Sequence, residues 1–128
     1  MNQEYIEDHE LLYRGISRIK KLRHLDYNNQ PTLAIFLNEK GVSVDRDGNR
    51  LEIECLEKLR QTLNKNYGGA VVITACGCRS VNAYPHPCAS RTNPYHAHIC
   101  NSIDTHDYVI DDLKALRLLR LSRIIRED

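Results

Sequence analysis

The residues best equipped for chemistry crowd into one stretch. Between Gly69 and Cys100 lie four of the chain's five cysteines, three of its six histidines and three of its four prolines. Cys76 and Cys78, His86 and Cys88, and His96, His98 and Cys100 repeat at every second position, a spacing that puts side chains on one face of an extended strand. Thiolates and imidazoles are the ligands of a zinc-class ion. The spacing argues against a structural zinc knuckle, whose longer turn aims both sulfurs at one ion, and reduced cysteines often serve as small buried hydrophobes. The expectation is therefore no bound metal and no other cofactor, with Cys76, Cys78, His86, Cys88 and His98 as the ligands should zinc bind.

A second set emerges from three segments: Leu12-Tyr-Arg14, Gly41-Val-Ser43-Val-Asp45-Arg46 and Asn93-Pro-Tyr-His96-Ala97-His98-Ile99. In this order they resemble an uncharacterised family of small bacterial proteins with Leu-x-Arg, Leu-Ser-Val-Asp-Arg and Asn-Pro-x-His-Ala-x-Ile segments. The chain departs from that pattern around Cys76-Gly77-Cys78 and Pro87-Cys88. The resemblance implies a shared fold and a shared site, and it singles out Arg14, Ser43, Asp45, Arg46, Asn93 and His96. Two arginines can grip a phosphate or carboxylate with forked donors, with Asn93 beside them, and His96 can exchange a proton near neutral pH. His96, Ser43 and Asp45 are then the candidates for catalysis, and Arg14, Arg46 and Asn93 for ligand binding. The structural alternative is that Asp45 and Arg46 staple a turn, Ser43 satisfies a backbone group and His96 caps a sheet edge.

Composition narrows the field. A chain of 128 residues suits one domain spanning 1–128, large enough for one core. A net charge of +1 gives no global attraction to nucleic acid or anionic membrane. No apolar run approaches the roughly 18 residues that span a bilayer, and the opening MNQEYIEDHE is acidic where a signal peptide is basic. The expectation is a cytoplasmic protein with reduced thiols and an acidic, disordered leader over residues 1–10.

The elements that must position these residues follow from periodicity. Residues 11–17 read as a strand, with a helix through 16–25 as the competing reading, and 26–31 as a loop. Residues 32–37 form an apolar run of strand length, and in 42–45 two valines alternate with Ser43 and Asp45. Asn49 followed by Glu52 has the form of a capping box. It opens a helix whose stripe is Cys55, Leu56, Leu59 and Leu63, ended by Gly68-Gly69. Residues 70–74 (AVVIT) read as a central strand buried on both faces. The prolines leave 76–93 irregular beyond a turn of helix, and 95–100 read as a last strand with His96, His98 and Cys100 on one side. A final helix from Asp111 through Ile125 docks by residues 110, 113, 118, 121, 124 and 125, leaving Leu116 and Leu119 for a partner or second copy.

The predicted fold is α+β: a small mixed or antiparallel sheet of about four to five strands with two main helices packed on it. Ile35, Val42, Leu56, Leu59, Val72 and Leu113 are the expected core. Three function classes stay open. A small-ligand protein would gather Arg14, Arg46 and His96 around an anionic or phosphate-bearing ligand. A protein-protein interaction component of a bacterial conflict or defence system would use the leucine-rich last helix. A metal protein would bring the cysteines together.

Overall fold

The computed structural model describes residues 5–127. Within it the chain forms β1 (Leu11–Ser17), β2 (Val42–Arg46), α1 (Glu52–Leu63), β3 (Tyr67–Thr74), α2 (Ala75–Ser80), β4 (Tyr84–Pro87), β5 (His96–Cys100), α3 (Asp112–Leu121) and β6 (Arg123–Arg126). The strands make one open sheet in the order β4-β5-β2-β1-β3-β6, with every neighbouring pair antiparallel. The fold is α+β, with six strands where the periodicity predicts four or five. The two extra strands are short edges: β4 carries two prolines, and β6 continues an apolar run that reads as helix. Among the described residues no helix is long and apolar enough to cross a membrane.

Alternation along the strands divides the sheet into two unlike faces. Leu12, Ile16, Val42, Val44, Val71, Ile73, Ala97 and Ile99 share the larger core with Cys78 of α2, Ala115 and Leu118 of α3, and Ile35 and Phe36 of a short 3-10 turn. The opposite face is built differently. Tyr13, Ala70 and Val72 pack there with Cys55 and Leu59 of α1, and the register places Ser43 across from His98 and Asp45 across from His96. Helix α1 packs on β1 and β3, so it covers the apolar half of this face and leaves the polar half to the loop of residues 88–93.

Several elements form for reasons that periodicity does not show. Residues 33–36 coil into the 3-10 turn rather than a strand because Thr32 Oγ1 accepts the Ala34 N–H at 3.2 Å, a local bond that competes with a sheet ladder. Helix α1 starts at Glu52, after Leu51, whose N–H donates to the Glu54 carboxylate at 3.1 Å. Helix α3 ends at Leu121, so Ile124 and Ile125 do not belong to its apolar arc. Without them the buried side is Ala115 and Leu118 with Leu119 packed alongside, and Leu113 is 58% exposed rather than core. The unpartnered leucines of α3 are therefore Leu113 and Leu121. The acidic leader is anchored in its described part: Ile6 is buried, and the Ala75 and Cys76 N–H groups donate to Glu10 and Asp8 carbonyls. Its residues 1–4 lie outside the described residues.

One buried group makes this fold sensitive to acid. His24 Nδ1 accepts the Ser17 N–H at 3.0 Å, a role that requires a neutral ring. Burial, reinforced by the Arg14 charge, lowers its pKa from 6.5 to about 4. Because the folded pKa lies below the unfolded one, the unfolded state takes up the proton first and stability falls as pH drops from about 6.5 to about 4. Chemical denaturation across that window should show a loss on the order of 2 kcal/mol that is absent from His24→Gln. Parallel pH profiles for the two proteins would refute the assignment.

Candidate functional site

Where β1 and β2 meet, the ladder is short. The strands pair at Leu12 with Arg46 and Tyr13 with Asp45, and beyond that point the Arg14 side chain takes over. Its Nε donates to the Ile35 carbonyl and its Nη1 to the Ser43 carbonyl, the latter at 2.9 Å. The guanidinium thus satisfies the Ser43 carbonyl, which a longer ladder would have paired, and the Ile35 carbonyl of the 3-10 turn, as buried backbone groups require. Desolvation lowers its pKa to about 10, which leaves it charged at neutral pH. Among the described residues it has no carboxylate partner.

Beside Arg14 opens a cleft of about 690 Å³ on the polar half of the sheet. Its floor is β1 and β2, with Gly15, Ser43 and Asp45; one wall is α1, with Leu59, Thr62 and Leu63; the other is the 88–93 loop with Asn93 and His96. Gly15 keeps the floor low, since a Cβ there would lie 2.5 Å from Leu63 Cδ1. The loop is tied down by Asn93, whose Nδ2 donates to Asp45 Oδ1 at 2.8 Å and whose Oδ1 accepts the Tyr95 N–H at 3.1 Å. Asp45 is 7% exposed and is the one carboxylate among the lining residues.

Arg14, Ser43, Asp45, Asn93 and His96 all line one cleft, Arg14 from a β1 position in the same alternation as Leu12 and Ile16 of the larger core. Arg46 is not part of it. Along β2 it follows Val42 and Val44 in alternation, so it leaves the strand on the opposite face, where Nε and Nη2 grip Glu10 Oε1 and Oε2 at 2.9 Å each and Nη2 reaches the Tyr5 carbonyl at 3.1 Å. Burial opposes ionisation of Glu10, but the hydrogen bond and charge of Arg46 outweigh it and hold the carboxyl below its ordinary range. No hydrogen bond links Ser43, Asp45 and His96 among the described residues, so the nucleophile-base contact of a hydrolytic triad is not assembled.

The cysteines and histidines separate in the same way. Cys76 and Cys78 lie on α2, with Cys78 buried in the larger core and its thiol pushed up to about 12 by burial. Helix α2 packs into the larger core through Ala75 and Cys78, on the other face of the sheet from His96 and His98. Cys88, His96 and His98 instead converge, their ligand atoms all within 4.8 Å of one another. The two rings meet edge to face with centroids 5.0 Å apart and Nε2 atoms at 3.3 Å. Burial, then the neighbouring His96 and Arg14 charges, depress the His98 pKa. His86 lies across from His98 in the β4-β5 register, and its Nε2 is buried without a hydrogen-bond partner among the described residues.

No protein-family model, curated protein or solved structure matches the chain. Sequence reasoning missed the α1 wall, and the signal was there: Leu59 and Leu63 are one turn apart, with Thr62 beside them. It also missed Glu10 as the partner of Arg46, because the pair is separated by 36 residues and no periodicity connects them.

Removing Arg46 should leave Glu10 partly buried without its counter-ion. Arg46→Ala is expected to cost about 3 kcal/mol of stability, the scale for breaking a desolvated pair from one side, while ligand binding in the cleft persists. Urea unfolding and a binding titration on the same variant check both halves.

Proposed function

We propose that the protein binds a small anionic ligand, phosphate- or carboxylate-bearing, in the cleft beside Arg14. The observation that carries this reading is a cleft of small-molecule volume whose lining includes Arg14, a charged residue held by two carbonyls and without a carboxylate partner among the described residues. Charged groups in low dielectric are costly unless compensated, and an anion supplies the compensation. Ser43 and Asn93 add hydrogen-bonding groups, and Leu59, Leu63 and Tyr13 an apolar wall. Asp45 prefers a donor, which favours a ligand with an anionic group at one end and a hydroxyl or amine at the other.

The test is a thermal-shift and titration panel of inorganic phosphate, nucleoside monophosphates, sugar phosphates and small hydroxy acids. At least one should stabilise the wild type, with an effect that weakens as salt rises. Arg14→Gln keeps a donor for the carbonyls and loses the charge; it should weaken binding about thirtyfold, the equivalent of roughly 2 kcal/mol. Thr62→Trp, at an exposed position on the α1 wall, should block the cleft without disturbing the fold. A panel with no binder, or a ligand held equally by the wild type and both variants, refutes the reading.

A further inference from the structure

We infer that Cys88, His96 and His98 form a binding site for one zinc-class divalent ion at the rim of the cleft. Three independent features of the geometry support it. The first is distance: two imidazole nitrogens bound to one tetrahedral ion at about 2.0–2.1 Å are separated by about 3.3 Å, and His96 Nε2 and His98 Nε2 stand 3.3 Å apart. The second is convergence. Cys88 follows β4, its N–H donating to the His96 carbonyl at 2.9 Å, which fixes its backbone beside the pair. The Sγ of this exposed residue lies within 4.8 Å of a ring nitrogen of each histidine. A nitrogen-sulfur edge of a tetrahedral zinc site is about 3.5 Å, so a shift of about 1 Å completes the set.

The third feature is the surrounding chemistry. His86 opposes His98 across the β4-β5 ladder, and its buried Nε2 has no partner among the described residues. An unpartnered buried nitrogen is uncommon enough to need an explanation, and here it adds a further imidazole within one strand spacing of the cluster. A thiolate with two imidazoles suits a borderline-soft ion, whereas magnesium and calcium take oxygen ligands. Three protein ligands leave a tetrahedral ion one open position. Cys88 and His96 both line the cleft, which puts the site at its rim.

This inference stands apart from the anionic-ligand reading, because Arg14, Ser43, Asp45 and Asn93 contribute no ligand to it. The experiment uses the full chain, stripped with a chelator and titrated with cobalt(II), whose spectrum reports geometry and sulfur ligation. The expected result is one ion per chain, tetrahedral ligand-field bands and a thiolate-to-cobalt charge-transfer band, all displaced by zinc. Cys88→Ser should abolish the charge-transfer band and weaken binding by about a hundredfold or more, at least the loss seen when outer-shell partners of metal ligands are removed. His96→Gln and His98→Gln should weaken it comparably. Cys76→Ser, on the exposed surface of α2, should change nothing. Absence of stoichiometric cobalt binding overturns the inference, as does a charge-transfer band that survives Cys88→Ser. Because Cys88 is exposed, its substitution leaves the fold intact, and circular dichroism of the stripped variant confirms that a lost band means a lost ligand.

Discussion

The guanidinium of Arg14 does the work of a missing stretch of ladder. Beyond Tyr13 and Asp45, β1 and β2 no longer pair. The bonds from Arg14 to the Ser43 and Ile35 carbonyls then hold the strands and tether the 3-10 turn beneath the sheet. Each is a hydrogen bond from a charged donor, stronger than an ordinary amide-carbonyl bond. The same substitution has an electrostatic consequence. A backbone ladder is neutral, whereas this one puts a positive charge where β1 and β2 part, and it is felt at His24 and His98.

The cleft exists because helix and sheet are mismatched in width. Helix α1 presents a stripe of Cys55, Leu56, Leu59 and Leu63, enough to cover β1 and β3 but not β2 and β5. The uncovered strands carry Ser43, Asp45, His96 and His98 at the positions that would otherwise meet a helix. An apolar set there would leave a large hydrophobic patch in water; a polar set can stay open and bind. The loop of residues 88–93 encloses that half through Asn93 and brings Cys88 to the histidine pair.

Much of this was legible in the sequence where one period dominates. The alternation in β2 and β5 placed Ser43 with Asp45 and His96 with His98, and the stripe of α1 placed Cys55 and Leu59 in the core. Strand β3 is interior and buried along nearly its whole length, as its apolar run implied. What could not be read was set by contacts far apart in sequence or by local bonds. Residues 32–37 are as apolar as a strand, yet one threonine hydroxyl coils them. In β4 the prolines alternate with Tyr84 and His86, which keep their N–H groups, so an edge strand tolerates them. Arg46 looked like a binding residue because its type fits an anion, but type does not reveal that Glu10 lies opposite. The cysteines misled through adjacency: Cys76 and Cys78 are close in sequence to the site and on the other side of the sheet, while Cys88 reaches the histidines through β4-β5 pairing.

In the function proposed above, the open polar half of the sheet beside Arg14 is where the molecule meets its ligand. Nuclear magnetic resonance with nitrogen-15 labelling, following backbone and arginine side-chain signals during a phosphate titration, addresses it most directly. Saturable shifts are expected at Arg14, Ser43, Asn93 and His96, with the Arg46 side chain unmoved. Shifts confined to the exposed basic residues Lys20, Lys21 and Arg23, with Arg14 silent, would contradict it.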